Sequence, residues 1–296
     1  MSPRHILLAL IVVVIWGFNF VVTRLALDHY PPLLLVALRF SLAAIPCLFI
    51  PRPDVSLWRM IGIGMTMFVG QYAFLYLALA MGFPAGLSSV ALQIQAFFTI
   101  LLAALVLGER PGPRQMAGTA VAFAGLGVIA VATSHSGIPL LATFLILASA
   151  CTWAIGNVWM RGAGKFDTLS MIVWLSLIPP APMLLISLIF EGYGPVSQAM
   201  LGTTWYSFGL LAYIVILSTL VGFGIWGLLM KNYPASLIAP LTLLVPVTGA
   251  GSAALVLGEQ FGPARMAGMA LVLAGLACVA LPARWFSGWR AGKAGG

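Results

Sequence analysis

Several polar side chains that could bind a small molecule lie inside long apolar runs of this sequence. Trp16, Asn19 and Thr23 follow one another at intervals of three and four residues, which puts them on one face of a helix. Trp153 and Asn157 form a similar pair later in the chain. An asparagine amide in such a place can hydrogen-bond a carboxylate or an amine, or it can hold two helices together. The residues alone leave both interpretations open.

Aromatic rings and amides share two further helical faces. Tyr72 and Tyr76 are four residues apart, and so are Gln93 and Phe97, which places each pair on one face. Faces of this composition suit a small zwitterion with a variable side chain. Gln95 is expected to point away from Gln93, because two residues turn an α-helix by about 200°. At most one of the two amides should therefore face a pathway, and we favour Gln93.

Two other features could close or gate a cavity. Phe223 and Trp226 are three residues apart, although plain packing between helices would explain them too. Arg39 is the one charged residue that we place well inside an apolar run. It follows Leu33 by six residues, about 9 Å along a helix axis, a depth from which its side chain can snorkel to the membrane interface. We favour that structural role over a partner for a carboxylate or a gate contact.

The sequence lacks the residue sets that catalysis or metal binding requires. No Asp or Glu lies in the middle of an apolar run, and His5, His29 and His135 fall at the ends of runs or between them. The three cysteines lie inside apolar runs without metal-ligand spacing. We therefore expect no cofactor and no metal, and we disfavour an intramembrane enzyme.

The composition predicts an all-α membrane protein. Hydrophobic residues make up 62% of the chain and charged residues 7%, whereas about a quarter of a soluble domain is charged. Ten apolar runs have roughly the length of a membrane-spanning helix, and none alternates as a barrel strand would. The expected spans are residues 6–27, 33–50, 58–81, 84–108, 114–133, 139–161, 169–190, 204–230, 234–257 and 264–282.

The basic residues predict the orientation of the chain. With ten spans and a cytoplasmic N-terminus, 11 of the 14 Lys and Arg residues fall on the cytoplasmic side, as the positive-inside rule requires. Both termini are then cytoplasmic. This distribution also explains the net charge of +8 without nucleic-acid binding.

The chain contains an internal repeat with a shift of 150 residues. Ala85–Ala130 aligns without a gap to Ala235–Ala280, and the string AALVLGE ends at Glu109 in one copy and at Glu259 in the other. Self-similarity of this kind indicates duplication, with expected halves of residues 1–133 and 134–296. Each half has five expected spans, an odd number, so the second half enters the membrane inverted. Inverted repeats are typical of secondary transporters that work by alternating access.

Glycines at intervals of seven residues predict close helix packing. Gly118 and Gly125 in the first half correspond to Gly268 and Gly275 in the second. Such small-residue seams let two helices approach closely, either within one chain or between two copies. The sequence therefore leaves a monomer and a homodimer open.

The motifs resemble those of the drug/metabolite transporter superfamily, in its EamA branch of ten-helix exporters. The resemblance covers nearly the whole chain, and it is carried by WGFNF at Trp16–Phe20, by PAGLSSVALQIQAFFTILLAALVLGER at Pro84–Arg110 and by APLTLLVPVTGAGSAALVLGE at Ala239–Glu259. It implies export of amino acids or related small metabolites across the bacterial inner membrane. No glutamate stands in the first span, where small multidrug members of the superfamily carry one for proton coupling.

We therefore expect a facilitative carrier that moves its substrate down the substrate's own gradient. The alternatives are a carrier for other metabolites or drugs, and, less favoured, a channel. A channel would need a ring of charges or carbonyls along an open pore, and the inverted repeat favours a carrier instead. The expected partners are a small-molecule substrate and the lipid bilayer.

Overall fold

The chain folds entirely into helices over the residues that the computed structural model describes, which are 1–134, 137–164 and 166–280. The main helices, in chain order, are α1 (Pro3–Ala26), α2 (Pro32–Leu48), α3 (Leu57–Ala80), α4 (Ala85–Leu107), α5 (Pro113–Ser134), α6 (Leu140–Arg161), α7 (Thr168–Phe190), α8 (Trp205–Asn232), α9 (235–257) and α10 (Pro263–Ala280). A short helix, Tyr193–Leu201, connects α7 to α8.

Eight of these helices are long and apolar enough to cross a membrane. The other two apolar helices, α2 and the 241–257 part of α9, are shorter. The helix bounds fall within a few residues of the expected spans, because the breaker residues between apolar runs also end the helices. Gly108 and Gly258, for example, end α4 and α9 in the left-handed conformation, with φ of 67° and 66°, which glycine adopts at little cost.

Besides the 3₁₀ turn that ends α2 at Ile45–Leu48 and the break at residues 176–179 of α7, four helices contain an internal π-helical or 3₁₀ stretch, and we call these four the irregular stretches. A π-helical stretch occupies Gly64–Gly70 in α3, and another occupies Tyr213–Val221 in α8. A 3₁₀ turn occupies Leu92–Ile94 in α4, and another occupies Ala239–Leu243 in α9. When 150 is added to the first-half numbers, each stretch overlaps its second-half counterpart, so the sequence repeat extends to these departures from α-helical geometry.

The last helices of the two halves pack against each other through glycine. A Cβ atom on Gly118 would lie 2.8 Å from the carbonyl oxygen of Gly275, and one on Gly125 would lie 2.7 Å from that of Gly268. The residue numbers rise along α5 as they fall along α10, so the two helices run antiparallel. The glycine seam therefore lies within one chain. The sequence alone allowed this arrangement or packing between two copies.

The first helix of each half enters a comparably tight contact. A Cβ on Gly17 of α1 would lie 2.0 Å from Oγ1 of Thr248 in α9, and one on Gly156 of α6 would lie 2.0 Å from Cγ of Met67 in α3. These contacts let α1 pack closely against α9, and α6 against α3.

Two alanine substitutions in α5 test the glycine seam. Gly125→Ala places a methyl group against the backbone of α10, and such overpacking typically costs about 1–3 kcal/mol. We expect its melting temperature in detergent to fall by several degrees. Gly127→Ala is the matched control, since no atom lies within 4 Å of its added Cβ, and it should be neutral or slightly stabilising. Equal melting temperatures for the two variants would contradict the seam.

Candidate functional site

A cavity of about 190 Å³ lies where helices of both halves meet. Its wall combines aromatic rings, amides, hydroxyls and one guanidinium. The lining residues are Trp16, Asn19, Phe20, Arg39, Gln71, Tyr72, Leu75, Ser89, Leu92, Gln93, Gln95, Trp153, Ser218, Phe223, Thr242 and Val245. Seven helices contribute to this wall, so its shape depends on how the two halves sit against each other.

All four irregular stretches border the cavity. Gln71 directly follows the π-helical stretch of α3, Ser218 lies within that of α8, and Gln93 and Thr242 lie in the two 3₁₀ turns. Irregular backbone deep in a membrane protein is tolerated where it is enclosed by protein or lines a cavity. Interrupted helices are also where transporters place their substrate sites.

Side chains from neighbouring helices bond the carbonyl groups of these stretches. Trp16 Nε1 donates to the carbonyl of Ser218 at 3.0 Å, and Gln93 Nε2 donates to that of Thr242 at 3.4 Å. Ser149 Oγ donates to the carbonyl of Gln71 at 2.8 Å. All three bonds join one half to the other.

Trp16 forms an aromatic wall with two rings of α8. Its ring centroid lies 5.2 Å from that of Phe223 and 5.2 Å from that of Trp226. Gly222 makes room for this contact, because a Cβ there would lie 2.6 Å from Trp16 Nε1. Phe223 lines the cavity, whereas Trp226 supports Trp16 from outside its lining.

Arg39 is enclosed by protein rather than extended to an interface, so the expectation that it snorkels was wrong. Its side chain is 1% exposed. It donates from Nε to Thr219 Oγ1 at 3.1 Å, from one terminal nitrogen to the hydroxyl of Tyr76 at 2.8 Å and from the other to that of Tyr72 at 3.3 Å. The Tyr72 ring also lies 4.3 Å from the guanidinium carbon, a cation–π contact. These neutral partners hold Arg39 at the cavity instead of at the surface.

Within the part of the chain that the structure describes, three buried oxygens near the cavity have no hydrogen-bond partner. They are Oδ1 of Asn19, Oγ1 of Thr23 and Oε1 of Gln71. Asn19 and Gln71 line the cavity, and Thr23 lies one turn beyond Asn19 and is 1% exposed. Since an unsatisfied buried polar group typically costs about 1–3 kcal/mol, these atoms need an explanation.

The structure brings only part of the expected residue set to the cavity wall. Trp16, Asn19, Tyr72, Gln93, Trp153, Phe223 and Arg39 line it, whereas Thr23, Tyr76, Phe97, Asn157 and Trp226 do not. Tyr76 and Phe97 are fully buried behind the wall. Asn157 Nδ2 donates to Thr99 Oγ1 at 3.2 Å, which is the helix-to-helix contact proposed as its alternative role.

Both Gln93 and Gln95 line the cavity, so the expectation that only one of them would was wrong. The 3₁₀ turn Leu92–Ile94 precedes Gln95. A 3₁₀ turn has three residues per turn, so two residues end about 120° apart instead of about 160°. The smaller angle lets two long amides reach the same space.

Ser218 and Thr242 are lining residues that the sequence analysis missed. They lie in apolar runs without a polar neighbour on the same face, so no spacing marked them. The internal repeat did carry a usable signal, since Thr242 is 150 residues after Leu92, which stands beside Gln93.

A larger groove, of about 770 Å³, lies between the C-terminal part of α5 and the start of α10. Its lining consists of Gly127, Val128, Val131, Ala132, Gly262, Pro263, Ala264 and Arg265. Arg265 is the charged residue among the described ones in this lining. We do not regard this groove as the functional site, because it lacks the converging polar groups that orient a ligand.

Two carboxylates each bind the backbone N–H groups at the start of a helix, one at α2 and one at α4, and we call each of these contacts a clasp. Glu259, just after α9, accepts hydrogen bonds from the backbone N–H groups of Ala85 at 2.6 Å and Gly86 at 3.0 Å. Glu191, just after α7, accepts bonds from those of Leu33 at 2.7 Å and Leu34 at 3.2 Å. A carboxylate is favourable at a helix N-terminus, so each clasp ties a helix of one half to a helix of the other.

The carboxylate equivalent to Glu259 makes a different contact. Glu109 pairs with Arg161 at 2.5 Å, with both side chains about half exposed. An ion pair this exposed contributes little. Burial, in contrast, raises the pKa of Glu259 above its ordinary value, while its two N–H donors, Arg265 and Arg24 lower it. The segment after α4 is thus held by an exposed ion pair, whereas the segment after α9 is held by a half-buried carboxylate that caps α4.

Comparison with known proteins agrees with a transporter. The model of the EamA-like transporter family matches residues 3–131 and 140–281. A "Probable amino-acid metabolite efflux pump" of Salmonella typhimurium is 43% identical over 93% of this chain and 94% of its own length. A protein of the same name from Escherichia coli is 40% identical, over 96% and 97%. A "Probable terminal-alkyne amino-acid exporter" of Streptantibioticus cattleyicolor is 28% identical over 89% of each chain.

A solved crystal structure supports the fold alone. It aligns with a TM-score of 0.59 over 94% of this chain and 96% of its own, at 18% identity. The family match covers most of the chain and the two more similar relatives align over nearly their full length. The chain therefore belongs to the EamA-like transporter family, and it is a multi-pass membrane transporter rather than an enzyme.

Proposed function

We propose that this chain exports amino acids or related small metabolites across a bacterial inner membrane, down the substrate's own gradient. The observation that carries the proposal is the cavity between the halves, which is lined by aromatic rings and polar side chains and bordered by four interrupted helices. The names of the Salmonella and Escherichia relatives support the choice of cargo.

In this proposal ten helices span the membrane as two inverted five-helix repeats, residues 1–133 and 134–296. Three observations support it: the family model matches in two segments, the irregular stretches recur 150 residues apart, and α5 runs antiparallel to its counterpart α10. Gly118 faces Gly275 while its counterpart Gly268 faces Gly125, as a two-fold relation between halves requires. The basic residues then place both termini in the cytoplasm.

The cargo contacts Trp16, Asn19, Tyr72, Gln93, Trp153 and Phe223 in this mechanism, while Thr23, Tyr76, Phe97, Asn157 and Trp226 support that wall from behind. All of these residues belong to one chain, so a monomer suffices for transport. The inferred orientation places the clasps made by Glu191 and Glu259 on the outer side. They keep that side closed until the halves rock.

Two asparagines at similar places in the two halves form a matched test of the site. Asn19→Ala removes a cavity amide, and we expect the apparent affinity in liposome counterflow to fall by about tenfold, since a hydrogen bond to a charged group contributes about 1.5–3 kcal/mol. Asn157→Ala should lower thermal stability with little change in affinity, because its amide bonds Thr99.

Thr143→Ala serves as the neutral control, since Thr143 is buried away from the cavity lining. If all three variants behaved alike in counterflow, the cavity would not be the cargo site.

Two short epitope tags test the inverted architecture. A tag inserted after Glu109 should be accessible from the cytoplasm only, and a tag after Glu259 from the outside only. The measurement is antibody labelling of intact and permeabilised cells. Accessibility of both tags from one compartment would refute the inverted repeat.

A paired substitution tests the outer clasp. Glu259→Gln removes the charge that caps α4, a contact of about 0.3–2 kcal/mol, so outward-open molecules should become more frequent by roughly two- to thirtyfold. Ser89→Cys, in a chain whose native cysteines are replaced, reports this as faster labelling by a membrane-impermeant thiol reagent from outside. Glu109→Gln should not speed labelling, and an equal increase in both variants would contradict the assignment.

A further inference from the structure

We propose that Arg39, together with the hydroxyl of Tyr72, binds the carboxylate of the cargo, while the amide oxygens of Asn19 and Gln71 accept its ammonium group. The inference rests on the proposed function and narrows its substrate class to molecules with a carboxylate. It is argued from the hydrogen-bond donors and acceptors of the cavity wall that have no partner in the described part of the chain.

The charge of Arg39 is unbalanced. Within residues 1–134, 137–164 and 166–280, the ion pairs are Arg24–Asp28 and Arg161–Glu109, so no carboxylate faces Arg39. A buried charge without a partner is expensive, and the oxygens of Thr219, Tyr72 and Tyr76 offset only part of the cost. A carboxylate in the cavity would complete the pairing.

The cluster around Arg39 has a surplus of hydrogen-bond donors. A guanidinium carries five N–H groups, and Arg39 uses three of them. The hydroxyls of Tyr72 and Tyr76 accept from Arg39, and in the described part of the chain neither hydroxyl hydrogen has an acceptor. Thr219 already donates to the carbonyl of Ile214 at 2.9 Å. The N–H and O–H groups near Arg39 thus have hydrogens left to donate, which an acceptor-only carboxylate would match.

Tyr72 is placed to present its unused hydroxyl hydrogen to the cavity. It lines the wall and is 8% exposed, whereas Tyr76 is fully buried. Phe40 packs edge-on against the Tyr72 ring at 5.0 Å and stacks on Phe68 at 4.8 Å. The ring is thus supported from behind, which fixes its hydroxyl beside Arg39.

Elsewhere on the same wall, hydrogen-bond acceptors rather than donors are left over. Asn19 and Gln71 each carry an amide oxygen that no donor among the described residues reaches, and an ammonium group offers three donors. A cavity with a cationic donor cluster and separate unused acceptors is complementary to a zwitterion. This accounts for the three features together: the unpaired guanidinium, the free tyrosine hydrogens and the unsatisfied amides.

The competing explanation is structural, because Arg39 also ties α2 to α3 and α8. The two roles differ in how they treat substrates. A carboxylate-binding Arg39 discriminates an amino acid from its methyl ester, whereas a structural tie affects both alike.

The test compares these two substrate forms in proteoliposomes, with uptake of a labelled amino acid and of its methyl ester measured for wild type, Arg39→Lys, Arg39→Gln and Tyr72→Phe. We expect Arg39→Gln to lower transport of the amino acid at least tenfold more than that of the ester. Arg39→Lys should restore part of this preference, and Tyr72→Phe, which keeps the ring, should weaken it severalfold. Thermal melting of each variant reports folding, with Thr143→Ala as control.

Equal losses for acid and ester in both Arg39→Gln and Tyr72→Phe would overturn the carboxylate site and leave the proposed export intact. A wild-type protein that moves no amino acid, but moves a 2-hydroxy acid in an Arg39-dependent way, would refute the proposed cargo and support the carboxylate site. If the Arg39 variants do not fold, the acid-to-ester ratio of Tyr72→Phe decides alone, and a ratio equal to that of wild type counts against the proposal.

Discussion

The need to satisfy backbone polar groups without water governs this fold. In a lipid surrounding, a freed carbonyl is tolerated only where protein groups or an enclosed cavity receive it. The four interrupted helices place such carbonyl groups around one cavity. Trp16, Gln93 and Ser149 donate side-chain hydrogen bonds to them. The polar cavity and the breaks in α3, α4, α8 and α9 are therefore one feature, and the same donors join the two halves.

The sequence predicted the positions of the helices well, because these depend on patterns that are local along the chain. Apolar runs and breakers locate the helices, and the 150-residue shift locates Gly108 and Gly258 at matching ends. Positions in three dimensions were predicted less well. Arg39 was expected at an interface because its depth allowed snorkelling, yet two tyrosines from α3 and a threonine from α8 hold it at the cavity. No local pattern encodes contacts between residues 33 to 180 positions apart.

The candidate site was predicted in part for a related reason. Asn19 and Gln93 could be identified because polar side chains stand out in apolar runs. The angle between Gln93 and Gln95 could not be predicted, because no residue pattern in the sequence indicates the 3₁₀ turn that changes this angle. Ser218 and Thr242 reach the wall only because their helices are interrupted. Irregular geometry thus limits residue-level prediction in the region where function is proposed.

The contact between α5 and α10 constrains how such a molecule can move. Backbone atoms of Gly118 and Gly125 lie directly against those of Gly275 and Gly268, and backbones in van der Waals contact cannot slide past one another without collision. In the proposed cycle of alternating access, this line of contact is where the two halves would move least, and the larger displacements are expected away from it.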